Sequence, residues 1–103
     1  MDESKNVILE LTFNFALKII EYSELLEAQR KFTMANQLYR CGTAIGSHAS
    51  EAQSAESKAD FIHKFKIPDK EAEEAIYRLR LCKHSKNYLL AMDFLRRYLL
   101  LKK

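Results

Sequence analysis

The sequence holds few residue types that could carry out a reaction, and their spacing matches no common catalytic motif. Cys41 and Cys82 lie at helical hydrophobic positions, which predicts small buried apolar side chains rather than nucleophiles. The sequence contains no nucleophile elbow, dinucleotide fingerprint or Cys-x-x-Cys pair, and two glycines are too few for a phosphate-binding loop. We therefore expect no enzymatic activity and no cofactor.

Two pairs of histidine and carboxylate raise the question of a metal site. Asp60-x-x-His63 and His48-x-x-Glu51 resemble the Glu-x-x-His pairs that hold ions in di-metal helical bundles. Such a site also needs carboxylates on the apolar faces of the other helices, and the glutamates of the first predicted helix avoid that face. The ligand set is therefore incomplete, and we expect no metal. We interpret His48 as a hydrogen-bonded core or interface residue.

Lysine and arginine are concentrated in the C-terminal part of the chain. Residues 1–60 carry six Lys or Arg against nine Asp or Glu, a net charge of −3, whereas residues 61–103 carry eleven against five, a net charge of +6. A basic surface attracts polyanions such as nucleic acid, although the same residues can equally form the solvated face of helices that pack on more acidic ones. The candidates for phosphate binding are Arg78, Lys83, Lys86, Arg96 and Arg97.

Hydrophobic residues recur every three or four positions in four successive segments, which predicts four helices. The first runs from about Lys5 to Glu27, and the second begins at Thr33 as its N-cap. Gly42-x-x-x-Gly46 lies inside the second helix, where each glycine costs about 1 kcal/mol relative to alanine. We expect these glycines to let another helix approach closely, preferably within the same bundle.

The third helix is predicted to begin at Ser57, which with Asp60 is typical of a capping box. Pro68 lies about eleven residues further on and predicts a kink, with the helix resuming from Asp69. A polar turn at residues 84–87 then leads to a short fourth helix, and so short a turn predicts antiparallel neighbours.

Residues 1–103 are therefore predicted to form a single all-α domain. The N-terminus lacks the pattern of a signal peptide, and the apolar runs are too short to cross a membrane, which predicts a cytoplasmic protein without membrane contact. Two cysteines in such a chain favour free thiols over a disulfide framework. The first helix carries more apolar residues than one bundle needs, and the fourth is short, so we expect a homo-oligomer.

Three stretches resemble the bacterial four-helix-bundle proteins encoded in intervening sequences of 23S ribosomal RNA genes. They are residues 38–47 (LYRCGTAIGS), 51–53 (EAQ) and 57–72, which contains SKADFIHKFKI and KEA. The resemblance implies an antiparallel up-down-up-down four-helix bundle, here with a short fourth helix, that assembles as a homopentamer and is not an enzyme. The family is similar to accessory proteins of diversity-generating retroelements, which implies RNA or DNA binding.

Two functional hypotheses follow. The first is a non-enzymatic oligomeric bundle whose basic C-terminal surface binds structured RNA or DNA, or a protein bound to nucleic acid. The alternative is a structural or protein-interaction module whose charges only keep it soluble.

Overall fold

The structure, a computed structural model, describes residues 3–88 of the chain, which are helical apart from the connecting turns. Three α-helices and one turn of 3-10 helix occupy this part, and it contains no strand. Their bounds are α1 Glu3–Ala28, α2 Phe32–Ala52, α3 Lys58–His84 and the 3-10 helix Lys86–Tyr88. The predicted all-α fold is confirmed for these residues. The predicted fourth helix, with Arg96 and Arg97, lies outside the described residues.

The turn between α1 and α2 is tighter than the sequence predicts. Arg30 adopts a left-handed conformation with φ of 65°. The Arg30 amide donates to the carbonyl of Glu27 at 2.9 Å, and the Lys31 amide donates to that of Leu26 at 2.8 Å. This is the Schellman arrangement, which closes a helix and reverses the chain within two residues. Lys31 consequently occupies the N-cap of α2 without a side-chain cap, and the prediction of Thr33 as N-cap is wrong.

The start of α3 agrees with the predicted capping box. Ser57 is the N-cap, and its hydroxyl accepts from the Asp60 amide at 3.1 Å. The Asp60 carboxylate accepts in return from the amide of Glu56, one residue before the cap, also at 3.1 Å. That bond lowers the pKa of Asp60.

Pro68 does not divide α3. The helix runs without a break from Lys58 to His84, so the prediction that it resumes afresh from Asp69 is wrong. The Pro68 ring is fully buried. Burial of the apolar ring stabilises the fold, and this gain offsets part of the free-energy cost of the backbone hydrogen bond that proline cannot donate.

Neighbouring helices are antiparallel, as the order of the contacts between them shows. In α1 and α2, Gly42 lies against Ile19 and Gly46 against Thr12. In α2 and α3, Gln37 bonds Arg78 and His48 bonds Glu71. The C-terminus of α1, the N-terminus of α2 and the C-terminus of α3 therefore meet at one end of the molecule.

All three helices contribute to the core. The larger cluster of buried residues comprises Ile19, Tyr22, Leu26, Ala35, Leu38, Leu79 and Cys82. A second cluster contains Cys41, Ile45 and Ala75. Both cysteines are free and buried, which confirms their prediction as packed thiols.

Gly42 and Gly46 bring α1 and α2 together. A Cβ atom added at Gly42 would lie 2.6 Å from Cγ2 of Ile19, closer than side chains pack, whereas one at Gly46 would lie 3.4 Å from Oγ1 of Thr12. The expected close approach is confirmed, and its partner is α1 of the same chain.

Candidate nucleic-acid interface

Three chain segments bring basic side chains to one end of the molecule. Arg30 and Lys31 lie in the turn before α2, and the Lys31 ammonium is 5.2 Å from the centre of the Tyr88 ring. This contact joins the turn to the 3-10 helix that follows α3. We define the basic end as Arg30, Lys31, Arg80, Lys83 and Lys86.

Lys83 and Lys86, which the sequence predicts as phosphate-binding residues, both belong to the basic end. Their side chains are exposed and free to meet a polyanion. Lys83 and His84 also lie in the last turn of α3, where cations interact favourably with the helix dipole. The positive charge of Lys83 therefore also stabilises the C-terminal end of α3.

Arg78, the third described candidate, occupies a different environment. Its Nε donates to Oε1 of Gln37 at 3.4 Å, and its Nη1 lies 3.8 Å from Oε2 of Glu74. Five residues along a helix correspond to a rotation of about 140°, so Arg78 and Lys83 point to different sides of α3. The structure thus places Arg78 between α2 and α3, beside an acidic partner, and not with Lys83 and Lys86.

Sequence reasoning missed Arg30, Lys31 and Arg80 as members of this cluster. Arg30 and Lys31 lie in the half of the chain with a net negative charge, so charge counted along the sequence hides them. The available signal was topological: antiparallel helices place the first turn beside the end of the third helix.

An open depression adjoins the basic end on the surface of α3. It has a volume of about 360 Å³ and is lined by Tyr77, Arg80, Leu81, His84 and Ser85. A larger groove of about 560 Å³ runs along α2 and α3 on the other side of Tyr77, and its lining includes Glu73 and Glu74 together with Lys70 and Arg78. The charges in the larger groove therefore balance, whereas the lining of the smaller depression includes Arg80 and no carboxylate.

His48, considered above as a metal ligand, pairs instead with a carboxylate of the neighbouring helix. Its Nδ1 is 2.7 Å from Oε1 of Glu71, and this hydrogen bond raises the pKa of His48. Within residues 3–88, no three His, Cys, Asp or Glu side chains are grouped so as to hold a metal ion.

The two thiols are poorly suited to nucleophilic chemistry. Burial raises the pKa of Cys41 and of Cys82, which keeps both protonated near neutral pH.

No described helix combines the length and apolar character needed to cross a bilayer.

Comparison with known proteins gives two matches and one negative result. A family model described as 23S rRNA-intervening sequence protein matches residues 4–99. Among solved structures, the chain is similar to a protein with unknown function from the S23 ribosomal protein family of Bacteroides thetaiotaomicron. The two share 33% sequence identity with a TM-score of 0.72, over 87% of this chain and 89% of that chain. A search of the curated proteins found no match.

Proposed function

Since the chain belongs to the 23S rRNA-intervening sequence protein family, we propose that it is a non-enzymatic helical bundle that binds structured RNA or DNA through its basic end. One observation carries the proposal: Arg30, Lys31, Arg80, Lys83 and Lys86 come from separate segments and meet at one end. Cations clustered on one surface bind phosphates and release the counterions of the nucleic acid.

The proposal includes a four-helix bundle completed by residues 89–103. The backbones of α1 and α3 each pack on α2 and do not approach each other closely. Exposed apolar side chains, among them Leu11 of α1 and Ile76 of α3, would pack against a fourth helix set between them. Such a helix would run antiparallel to α3 and place Arg96 and Arg97 alongside it, about two turns from the basic end.

Charge reversal at the basic end tests nucleic-acid binding. The double variant Lys83→Glu, Lys86→Glu should bind a structured RNA about tenfold or more weakly at low salt. The slope of log affinity against log salt should become shallower by about 2, because two phosphate contacts are lost. Both quantities come from a fluorescence anisotropy titration repeated at several salt concentrations.

The matched control reverses two exposed lysines elsewhere on α3, in the variant Lys58→Glu, Lys66→Glu. It has the same net charge as the test variant, so a general charge effect would weaken both equally. Equal losses, or wild-type binding that does not respond to salt, would show that the basic end is not the site.

We propose self-association as a second property, favoured by exposed apolar side chains on two adjacent helices. Phe13 and Leu17 of α1, with Phe32 and Tyr39 of α2, are large and exposed; we call them the outer face. Large apolar side chains left exposed in this way are typical of protein interfaces. A second copy would cover them, as in the homopentamer that the family resemblance implies, and a closed ring would place every basic end on one rim.

A structural or protein-interaction module without nucleic-acid binding would use the same outer face. One measurement distinguishes the two functions. A protein-interaction module would bind its protein partner unchanged after charge reversal at Lys83 and Lys86.

A cytoplasmic location forms part of the proposal. Cys41 and Cys82 are both free thiols, the state that the reducing cytoplasm maintains.

A further inference from the structure

Tyr77 is a large aromatic residue that does not contribute to the buried core. It is 60% exposed in the C-terminal third of α3, and Leu81, one turn later, is 43% exposed. Tyr77 belongs to neither cluster of the core. An exposed aromatic ring beside an open depression presents a flat face to solvent.

The charges around this ring differ between the two depressions that it lines. Arg80, three residues after Tyr77, lines the smaller depression, and no carboxylate belongs to that lining. The larger groove is lined by Glu73 and Glu74 together with Lys70 and Arg78, so its charges balance. A polyanion that meets Tyr77 is therefore attracted towards the smaller depression.

We propose that Tyr77 stacks on an unpaired base whose neighbouring phosphates contact Arg80 and the basic end. The inference rests on the proposed nucleic-acid binding and names the class of nucleic acid, namely RNA or DNA with single-stranded segments. Aromatic side chains stack readily on unpaired bases, because bases inside a duplex already stack on one another. A depression of about 360 Å³ leaves space for a base beside the ring.

The test compares a short single-stranded RNA with the blunt duplex that contains the same strand. Tyr77→Ala should bind the single strand about tenfold more weakly, the loss typical of one stacking contact. Binding of the duplex should change less than about twofold, because phosphate contacts dominate there. Tyr77→Phe keeps the ring and should bind both probes like the wild type.

Two further variants control for folding and for general loss of an exposed apolar side chain. Tyr77→Leu keeps an apolar side chain of similar reach but lacks the flat ring, so it should lose affinity like Tyr77→Ala. Ile67→Ala removes another exposed apolar side chain of α3, 54% exposed and outside both the outer face and the basic end, and should bind the single strand like the wild type.

Different results separate this inference from the proposed function. If the wild type binds neither probe, the proposed function fails and the inference with it. If the wild type binds both probes and Tyr77→Ala affects them equally or not at all, nucleic-acid binding stands and base stacking at Tyr77 is wrong.

Discussion

Gly42 sets the distance between α1 and α2 because it has no side chain. An added Cβ would lie 2.6 Å from Cγ2 and 3.0 Å from Cβ of Ile19. The Cβ of Ile19 cannot rotate away, so α1 itself would have to move. We expect Gly42→Ala to lower the free energy of unfolding by about 1 kcal/mol or more, since overpacking outweighs the gain in helix propensity. Urea denaturation followed by circular dichroism measures the change.

Gly46, one turn later, provides the matched control. Its added Cβ would make only an ordinary contact with Thr12 at 3.4 Å. Gly46→Ala should therefore stabilise the protein by up to about 1 kcal/mol, the difference in helix propensity. The explanation fails if both substitutions shift the urea midpoint in the same direction.

Local chemistry explains which residue-level predictions the sequence supports. Ser57 and Asp60 cap α3 through bonds that span three or four residues, so the motif is visible in the sequence. Thr33 has an equally suitable side chain, yet the Schellman turn at Arg30 starts α2 earlier. That turn requires a positive φ, which glycine usually signals and arginine does not.

At the scale of elements, the pair of His48 and Glu71 links α2 to α3. The bond to Glu71 raises the pKa of His48 in the folded state, and Glu51 of the same helix acts in the same direction. Protonated His48 therefore stabilises the fold fully below the unfolded pKa of about 6.5, and this stabilisation is lost as the pH rises through the raised folded value.

The substitution His48→Ala should therefore destabilise the protein at about pH 5.5 and have a much smaller effect at about pH 9. The loss at low pH should be below about 1 kcal/mol, because the pair is partly exposed and screened by solvent. Urea denaturation at the two pH values measures the difference.

His63 supplies the comparison for this pH dependence. It is exposed on α3 and forms no hydrogen bond to another helix within the described part of the chain. His63→Ala should destabilise the protein less than His48→Ala at low pH. A loss for His48→Ala that is equal at both pH values would mean that its contribution is packing rather than charge.

Pro68 shows that the course of a helix, like the start of α2, is not always visible in the local sequence. Proline lacks the amide hydrogen that continues a helix, and sequence reasoning takes this as a break. The structure keeps α3 continuous and buries the ring. Burial is a property of the packed helices, so it is absent from the local sequence pattern.

At the scale of the whole molecule, the basic end is assembled by topology. Lys83 and Lys86 could be predicted because they are close in sequence and follow an apolar helical stripe. Arg30 and Lys31 join them only because α1, α2 and α3 run in alternating directions, as the contact of Lys31 with Tyr88 shows. Arg78 is close to Lys83 in the sequence but does not belong to the basic end, because its packing on α2 directs it towards Gln37.

The outer face carries the last prediction, which concerns assembly. Phe13 and Leu17 are one turn apart and exposed to 64% and 47%, so glutamate at both positions should leave the fold of a single chain intact. We expect the wild type to have the mass of several chains in solution, and Phe13→Glu, Leu17→Glu that of one chain, because charges would be buried at the interface. Analytical ultracentrifugation measures both masses.

Ile67→Glu is the control for this experiment, since Ile67 is an apolar residue of α3, 54% exposed and outside the outer face. It should keep the wild-type mass. If the wild type has the mass of one chain, a second copy does not cover the outer face. If the double variant still assembles, the interface lies elsewhere on the molecule. The double variant leaves the basic end unchanged. If it becomes monomeric and also binds RNA more weakly, the assembly itself contributes to affinity, because it presents several basic ends together.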